Sequence, residues 1–319
     1  MTWGWLWRRL ASVVIVLLLC SAAAYALMDA LPGSTAAAIL GTNATPETIA
    51  VVEKDLQLDR PLPVRYGIWL GRAVRGDLGV SYQTGEVVSD VVRDRLPTSV
   101  ELLVLTQLLA VSIAVPAAML AARREDGRFD RSASLWSFGM VATPHFALGI
   151  VLLILFAQKL HWFPVAQYTR LADGLGANLR SLVLPVITLG LPLSGIYFRL
   201  LRADLIATLR SDHIAFARAM GFSERRVLLS RALRPSSLTL VSVAGLNTAT
   251  LLGGAVIVER LFSLPGLGGM VFEAVLKRDI VKVQAATLAI ALVYVLVNLA
   301  VDVALTLLDP RIRLARSAG

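Results

Sequence analysis

Six stretches of this chain run for eighteen residues or more without a charged side chain: Leu10–Met28, Leu102–Ala122, Ser132–Gln158, Ser181–Phe198, Pro235–Val258 and Val283–Val301. A helix needs at least about 17 apolar residues to cross the hydrocarbon of a bilayer, and lipid offers no partner to a backbone N–H or C=O outside a helix or closed barrel. The pattern predicts an all-α membrane protein with six transmembrane helices. A soluble enzyme is excluded, because 56% of the 319 residues are apolar and 17% charged, against about 25% charged in globular domains. Mean hydropathy is +0.70.

The first stretch follows Arg8 and Arg9 and contains Ala24-Tyr25-Ala26, the form of a leader cleavage site. Its 19 uncharged residues exceed the about 7–15 of a leader's apolar core, so it reads as a retained span. Basic residues collect in the short cytoplasmic loops of membrane proteins. With the N-terminus inside, 17 of them fall on inner segments, eight between Arg199 and Arg234 alone. The two short outer loops hold seven, and the last seven lie in residues 29–98, a segment too long to count. Both termini are therefore expected in the cytoplasm of a multi-pass protein, with the net charge of +9 on the inner face. Its expected partner there is anionic membrane lipid, not nucleic acid. The resulting order is a cytoplasmic N-terminus with helix 1 (residues 1–28), a small helical extracytoplasmic segment between helices 1 and 2 (29–98), a five-helix core (99–308) with a cytoplasmic loop at 202–234, and a cytoplasmic tail (309–319).

None of the four lysines follows a glycine, so a phosphate-cradling Gly-Lys-Ser/Thr loop is absent and the chain does not bind ATP in that way. A single cysteine and three scattered histidines offer neither a disulfide framework nor metal-ligand spacing. No catalytic residue and no metal site is predicted.

In the long outer segment, Thr45-Pro46-Glu47 combines a cap, a proline suited to the first helical position and an early acid, opening a helix toward Leu56. Pro63–Arg75 and Glu86–Arg95 also read as helices, the second with Val87, Val88, Val91 and Val92 on one apolar face. They fit a lid over the bundle as well as a receiving surface for substrate or partner. Pro116, Pro144, Pro185 and Pro192 fall inside spans, and each removes a helical hydrogen bond that lipid cannot replace. Polar residues within spans favour the bundle interior, which makes His145, Asn247 and Asn298 candidates for a translocation path, with interhelical hydrogen bonding as the plainer alternative. Gly245, Ala249 and Gly253 form a stripe that admits close approach of another helix.

The inner loop is the most informative stretch. Asp212 is a suitable N-cap and Gly221 a suitable C′ residue, bounding a helix of barely two turns over His213–Met220. So short a helix is unstable alone, yet it carries Ile214, Phe216 and Met220. Either the bundle's own end or a partner must cover them. Ser223 and Glu224 then open a further helix, Glu224–Leu233.

The run Ala215-Phe-Ala-Arg-Ala-Met-Gly-Phe-Ser-Glu-Arg-Arg-Val-Leu, continuing to Ala232-Leu-Arg-Pro235, resembles the EAA loop of ATP-binding-cassette importer permeases, in the form found in the dipeptide/oligopeptide permease family. Further matches are Leu56-Gln-Leu-Asp-Arg-Pro-Leu-Pro, Arg75-Gly-Asp-Leu-Gly, Arg95-Leu-Pro-Thr-Ser-Val-Glu-Leu, Val258-Glu-Arg-Leu-Phe-Ser-Leu-Pro-Gly-Leu-Gly and Leu308-Asp-Pro-Arg-Ile-Arg. Together they resemble the B-type membrane subunit of these importers, a component of the bacterial inner membrane with the type I permease fold. The resemblance implies a heterodimer with a second permease subunit, two cytoplasmic ATPase domains that hold ATP and Mg, an extracytoplasmic solute-binding protein, and a peptide substrate. No cofactor is implied for this chain.

By position, Asp212, His213, Ile214, Phe216, Ala217, Arg218, Met220, Gly221 and Phe222 would form the element that couples to an ATPase. Ala215 and Phe216 stand where many importers have Glu and Ala. Phe262, Leu264, Pro265, Gly266, Leu267 and Gly268 would touch the binding protein or gate the outer mouth, with a tight turn that caps the bundle as the alternative. Members of this family also carry nickel, glutathione, haem or sugars. An ion-gradient-driven transporter is the competing class, and its usual internal repeats and buried carboxylates are not evident here. A non-transporting scaffold would be separated by the absence of substrate-stimulated ATPase.

Overall fold

The computed structural model describes residues 3–29, 36, 45–55, 60–81 and 83–308. These are nearly all helical, with a single isolated bridge between Val80 and Val87 and no strand among them. In chain order the helices are α1 (Trp3–Asp29), α2 (Pro46–Asp55), α3 (Leu62–Ala73), α4 (Val88–Arg123), α5 (Arg128–Ala142), α6 (His145–Leu152), α7 (Leu175–Leu209), α8 (Asp212–Ala219), α9 (Glu224–Arg226), α10 (Leu233–Leu261), α11 (Leu267–Leu276) and α12 (Ile280–Leu308). The matches at residues 56–59 and from 309 onward lie outside the described residues.

Among the described residues four helical stretches, Val88–Arg123, Leu175–Leu209, Glu224–Leu261 and Ile280–Leu308, are long and apolar enough to cross a membrane. A fifth arises if α5 and the stretch His145–Lys159 count as one span. Ala11–Leu27 is a shorter apolar helix.

Several expected boundaries need correction. Ser132–Gln158 is not one continuous helix: it breaks at Thr143 and Pro144, and its halves meet at 99°. The residue before a proline is pushed out of the helical region, and Thr143 has ψ 122°. Pro185 and Pro192, by contrast, sit inside an unbroken α7. Glu86–Arg95 is not a separate interfacial helix, since α4 starts at Val88 and runs into the apolar stretch. Likewise Glu224–Leu233 does not stand alone: α9 passes through a π-helical stretch, Val227–Ala232, into α10.

The chain separates into two compact units. One contains Leu6–Ser99 and Pro265–Val295. Its core joins Val88, Val92, Leu267, Met270, Ala285 and Ala286. The Ser81 hydroxyl donates to Asp279 Oδ2 at 2.5 Å, and the Leu267 N–H donates to Ser99 Oγ at 2.8 Å. The Arg75-Gly-Asp-Leu-Gly79 turn is explained by its glycines, for Gly76 and Gly79 have φ of 86° and 89° and the Gly79 N–H is held by Asp77 Oδ1 at 2.9 Å. At the start of α2 the Thr48 N–H donates to Thr45 Oγ1 at 3.2 Å, the cap expected from the sequence. Tyr66 of α3 lies against α1, 2.8 Å from the Ser21 hydroxyl and donating to the Leu18 carbonyl.

The other unit contains Val100–Leu264 and the chain from Leu296. Its central helix is α7, whose apolar window is 78% buried, against 17% for that of α12. Close packing of α5 on α7 depends on Gly195: a Cβ there would lie 3.0 Å from the Ser137 carbonyl oxygen, while the Ser137 hydroxyl donates to the Gly195 carbonyl at 2.8 Å.

Candidate functional site

The inner loop forms the short helix expected of it, with one change at its start. Ser211, not Asp212, is the N-cap: its backbone is extended at φ −78° and ψ 153°, and Asp212 is the first helical residue. The Ser211 hydroxyl bonds the Thr208 carbonyl and lies 2.8 Å from His213 Nδ1. Asp212 thus adds an acid beside the positive end of the helix. At the far end Gly221 has φ 82°. The Phe222 N–H reaches the Ala217 carbonyl at 3.2 Å and the Gly221 N–H reaches Arg218 at 2.9 Å. This is the paired closure of a Schellman motif, which needs a left-handed residue at its turn.

The two faces of α8 differ. Ile214 and Ala217 are buried, whereas Phe216 and Met220 retain 68% and 65% of their surface. The Arg218 guanidinium donates Nε to Glu224 Oε1 at 2.8 Å, tying α8 to α9. Phe222 lies beneath the guanidinium groups of Arg226 and Arg231, at 4.9 and 5.3 Å. The bundle therefore covers Ile214 and Ala217 and leaves Phe216 and Met220 open.

The segment expected to dock or gate is largely internal. Phe262 and Leu264 are buried in one unit, and Leu267 and Gly268 in the other. Gly266 is also buried, leaving Pro265 and the neighbouring Ser263 exposed. Ser263 has φ 53° and closes α10 by a second Schellman pair, with Leu264 N–H to the Glu259 carbonyl at 2.8 Å.

His145, Asn247 and Asn298 do not share one small site. Gly254 faces Leu189 and the His145 ring, and Gly245 faces Val301 and Asn298. Those glycines are nine residues apart on α10, a rise of about 13 Å. Asn247 donates to the Val243 carbonyl of its own helix at 2.9 Å. His145, at the α5–α6 break, also interacts with the Thr188 backbone. Pro192 leaves the Thr188 carbonyl without its helical N–H, so the histidine stands at a broken rung of α7. Of the small-residue stripe, Gly245 alone is closely approached, while nothing lies within 4 Å of a Cβ at Gly253.

Residues 114–314 match the family described as the binding-protein-dependent transport system inner membrane component, and residues 2–103 match its N-terminal family. The chain belongs to this family. It is that of ABC transporter permease subunits. A probable peptide ABC transporter permease protein of Sinorhizobium fredii is 35% identical over 306 residues, covering 96% of this chain and 98% of the relative. A dipeptide transport system permease protein of Alkalihalophilus pseudofirmus is 32% identical over 326 residues, with 96% and 98% covered. A glutathione transport system permease protein of Escherichia coli is 32% identical over 306 residues, with 96% and 97% covered.

Two polar clusters in this permease went unnoticed in the sequence. Asp130, 2% exposed, accepts both Nε and Nη2 of Arg202 in a bidentate pair and also the Asp126 N–H. In the middle of the bundle Gln107 donates to the Ala244 carbonyl at 3.1 Å, and its Oε1 accepts the Tyr197 hydroxyl at 2.7 Å. Gln107 is a polar residue inside an uncharged stretch. Its partners are 90 and 137 positions away, and no local pattern announces them.

Proposed function

We propose that this permease is one membrane subunit of an ATP-driven importer that takes up dipeptides or oligopeptides by alternating access. The observation that carries the reading is α8, buried along Ile214 and Ala217 and apolar on its outward face at Phe216 and Met220. A helix of eight residues gains its stability from packing, and its outward face is suited to a groove in a partner. In this reading the element formed by Asp212, His213, Ile214, Phe216, Ala217, Arg218, Met220, Gly221 and Phe222 seats in a cytoplasmic ATPase. ATP and Mg belong to that partner, and this chain holds no cofactor.

The proposed assembly places six transmembrane helices in the bacterial inner membrane with both termini in the cytoplasm, α1 supplying the additional span. Residues 29–98 lie outside as a helical segment. A second permease subunit, two ATPase domains and a solute-binding protein complete the importer. The charge asymmetry supports this orientation. Closure of the ATPases pulls on α8, and the bundle passes between outward- and inward-facing states that the binding protein and ATP bias differently. Affinity resides in the binding protein, so the permease needs a pathway more than a tight site. The relatives in peptide transport systems support peptide as substrate. The glutathione permease relative favours a second reading, import of glutathione, itself a short peptide-like solute.

The test is uptake into proteoliposomes holding the complete complex with ATP inside. Binding-protein-dependent accumulation of a labelled dipeptide is expected. Accumulation that follows an ion gradient without ATP would overturn the proposal.

A further inference from the structure

Between α9 and α10 the helix is wound more widely than elsewhere in the loop. Over Val227–Ala232 it is π-helical, and at its end the Leu233 N–H donates to the Leu228 carbonyl, five residues back instead of four. Such turns are rare and frequently mark functional sites. Pro235 supplies a reason for this one: it has no N–H to offer the Arg231 carbonyl four positions back, and in a regular α-helix its ring would press on that oxygen.

In this wider winding, residues five apart share a face. Val227 and Ala232 are both fully buried. Arg226 and Arg231 are both exposed, and their guanidinium groups lie 4.9 and 5.3 Å from the centre of the Phe222 ring. In an α-helix five positions turn through about 500°, which would set the members of each pair roughly 140° apart. The π winding is what brings two cations to one ring. Phe222 in turn moves with α8, because its N–H closes the Schellman motif on the Ala217 carbonyl. The Arg218–Glu224 pair ties α8 to α9 ahead of the widened turn, whereas Arg231, near the far end of that turn, reaches back across it.

We propose that Arg231 is a positioning residue for coupling: the π register sets its guanidinium on Phe222 and so fixes the direction of α8 relative to α10. A pull on α8 then reaches the span through this contact as well as through the backbone. Without it the chain yields at Gly221 and at the widened turn, and motion of α8 is spent in the loop. The inference rests on the reading of α8 as the ATPase contact and adds to it a residue outside that contact.

The test is the amount of labelled dipeptide taken up per ATP hydrolysed by the complete complex in proteoliposomes, with loaded binding protein outside. Arg231→Gln is expected to lower that ratio by about fivefold, the scale of one cation–π contact, with melting temperature and bound ATPase unchanged. Phe222→Leu keeps the bulk and removes the ring; it should lower the ratio as much, and the double variant should be no worse than either alone. Pro235→Ala, which lets the helix tighten, should also lower it. Arg225→Gln, an equal charge loss at an exposed neighbouring position, should preserve it. Equal losses in Arg225→Gln and Arg231→Gln would reduce the effect to diffuse charge and overturn the proposal, as would additive losses in the double variant. A lower melting temperature with the ratio preserved would make Arg231 a structural residue only. A wild-type ratio in Pro235→Ala would overturn the part assigned to the π register. A wild-type ratio in Arg231→Gln, where Phe216→Asp loses stimulation of the ATPase, would overturn the positioning role alone; wild-type behaviour in both would remove the coupling reading beneath it.

Discussion

Ile214 and Phe216 stand two positions apart on α8, and one is fully buried while the other keeps 68% of its surface exposed. Two residues subtend about 200° on a helix, so they point to opposite sides. Ile214 and Ala217 anchor the helix to the rest of the unit, and Phe216 and Met220, four apart, form one apolar outward face. Covering that pair would contribute up to about 1.5–3 kcal/mol per side chain before ordering costs. That would suffice for the force-transmitting joint proposed above.

The Asp130–Arg202 pair predicts a stability effect. Removing one partner leaves a buried charge uncompensated, at about 3 kcal/mol. Arg202→Gln, which leaves the buried Asp130 carboxylate unpaired, should lower the melting temperature in detergent markedly, and should cost far less when Asp130→Asn is already present. Full additivity of the two changes in a double-mutant cycle would show that the bidentate contact contributes nothing.

Ser263 closes α10 at φ 53°, a conformation that costs a residue with a Cβ about 1–2 kcal/mol. Ser263→Gly is expected to raise the melting temperature, and Ser263→Val to lower it. A fall with glycine would mean that the serine side chain contributes more than the strain it bears.

Lys282 donates to Glu86 at 2.5 Å and, with Thr84, holds the Glu86 carboxyl below the ordinary glutamate range. A folded-state pKa below the unfolded one means that the contribution is complete above about pH 5 and fades as the pH falls through the folded value. Glu86 is 54% exposed, so the effect is small. Glu86→Gln should flatten the acid limb of the stability profile while leaving neutral pH nearly unchanged. An identical acid limb would contradict the contact.

The proposed orientation is checked with Cys20 replaced by serine. A membrane-impermeant thiol reagent applied to intact cells should label Arg75→Cys and leave Arg131→Cys unlabelled until the cells are opened. The reverse pattern would invert the topology.

Local chemistry was legible in the sequence wherever neighbouring residues decide the structure. Gly221 at the end of α8 and Thr45 before α2 are cases in point, because capping involves residues within one turn. Ser211 and Asp212 are both good caps, and the extended backbone at Ser211 decided between them. Prolines were legible as missing hydrogen bonds but not as bends: Pro144 ends a helix, whereas Pro185 and Pro192 do not. At Pro192 the freed Thr188 carbonyl has His145 beside it, a partner 43 positions away that no local pattern announces. Asp130 and Arg202 are 72 positions apart, and counting loop charges treats every arginine alike. The tight turn at Phe262–Gly268 was visible in its composition, but its burial depended on partners remote in the chain.

The central claim is that α8 couples this permease to an ATPase through its outward face. The most direct measurement is stimulation of ATP hydrolysis by substrate-loaded binding protein in the purified complex carrying Phe216→Asp, beside Leu229→Asp as a control at another exposed apolar position. Membrane insertion and pairing with the second permease subunit should persist in both. The account predicts that Phe216→Asp abolishes stimulation or releases the ATPase while Leu229→Asp retains it; stimulation equal to wild type in Phe216→Asp would contradict the account.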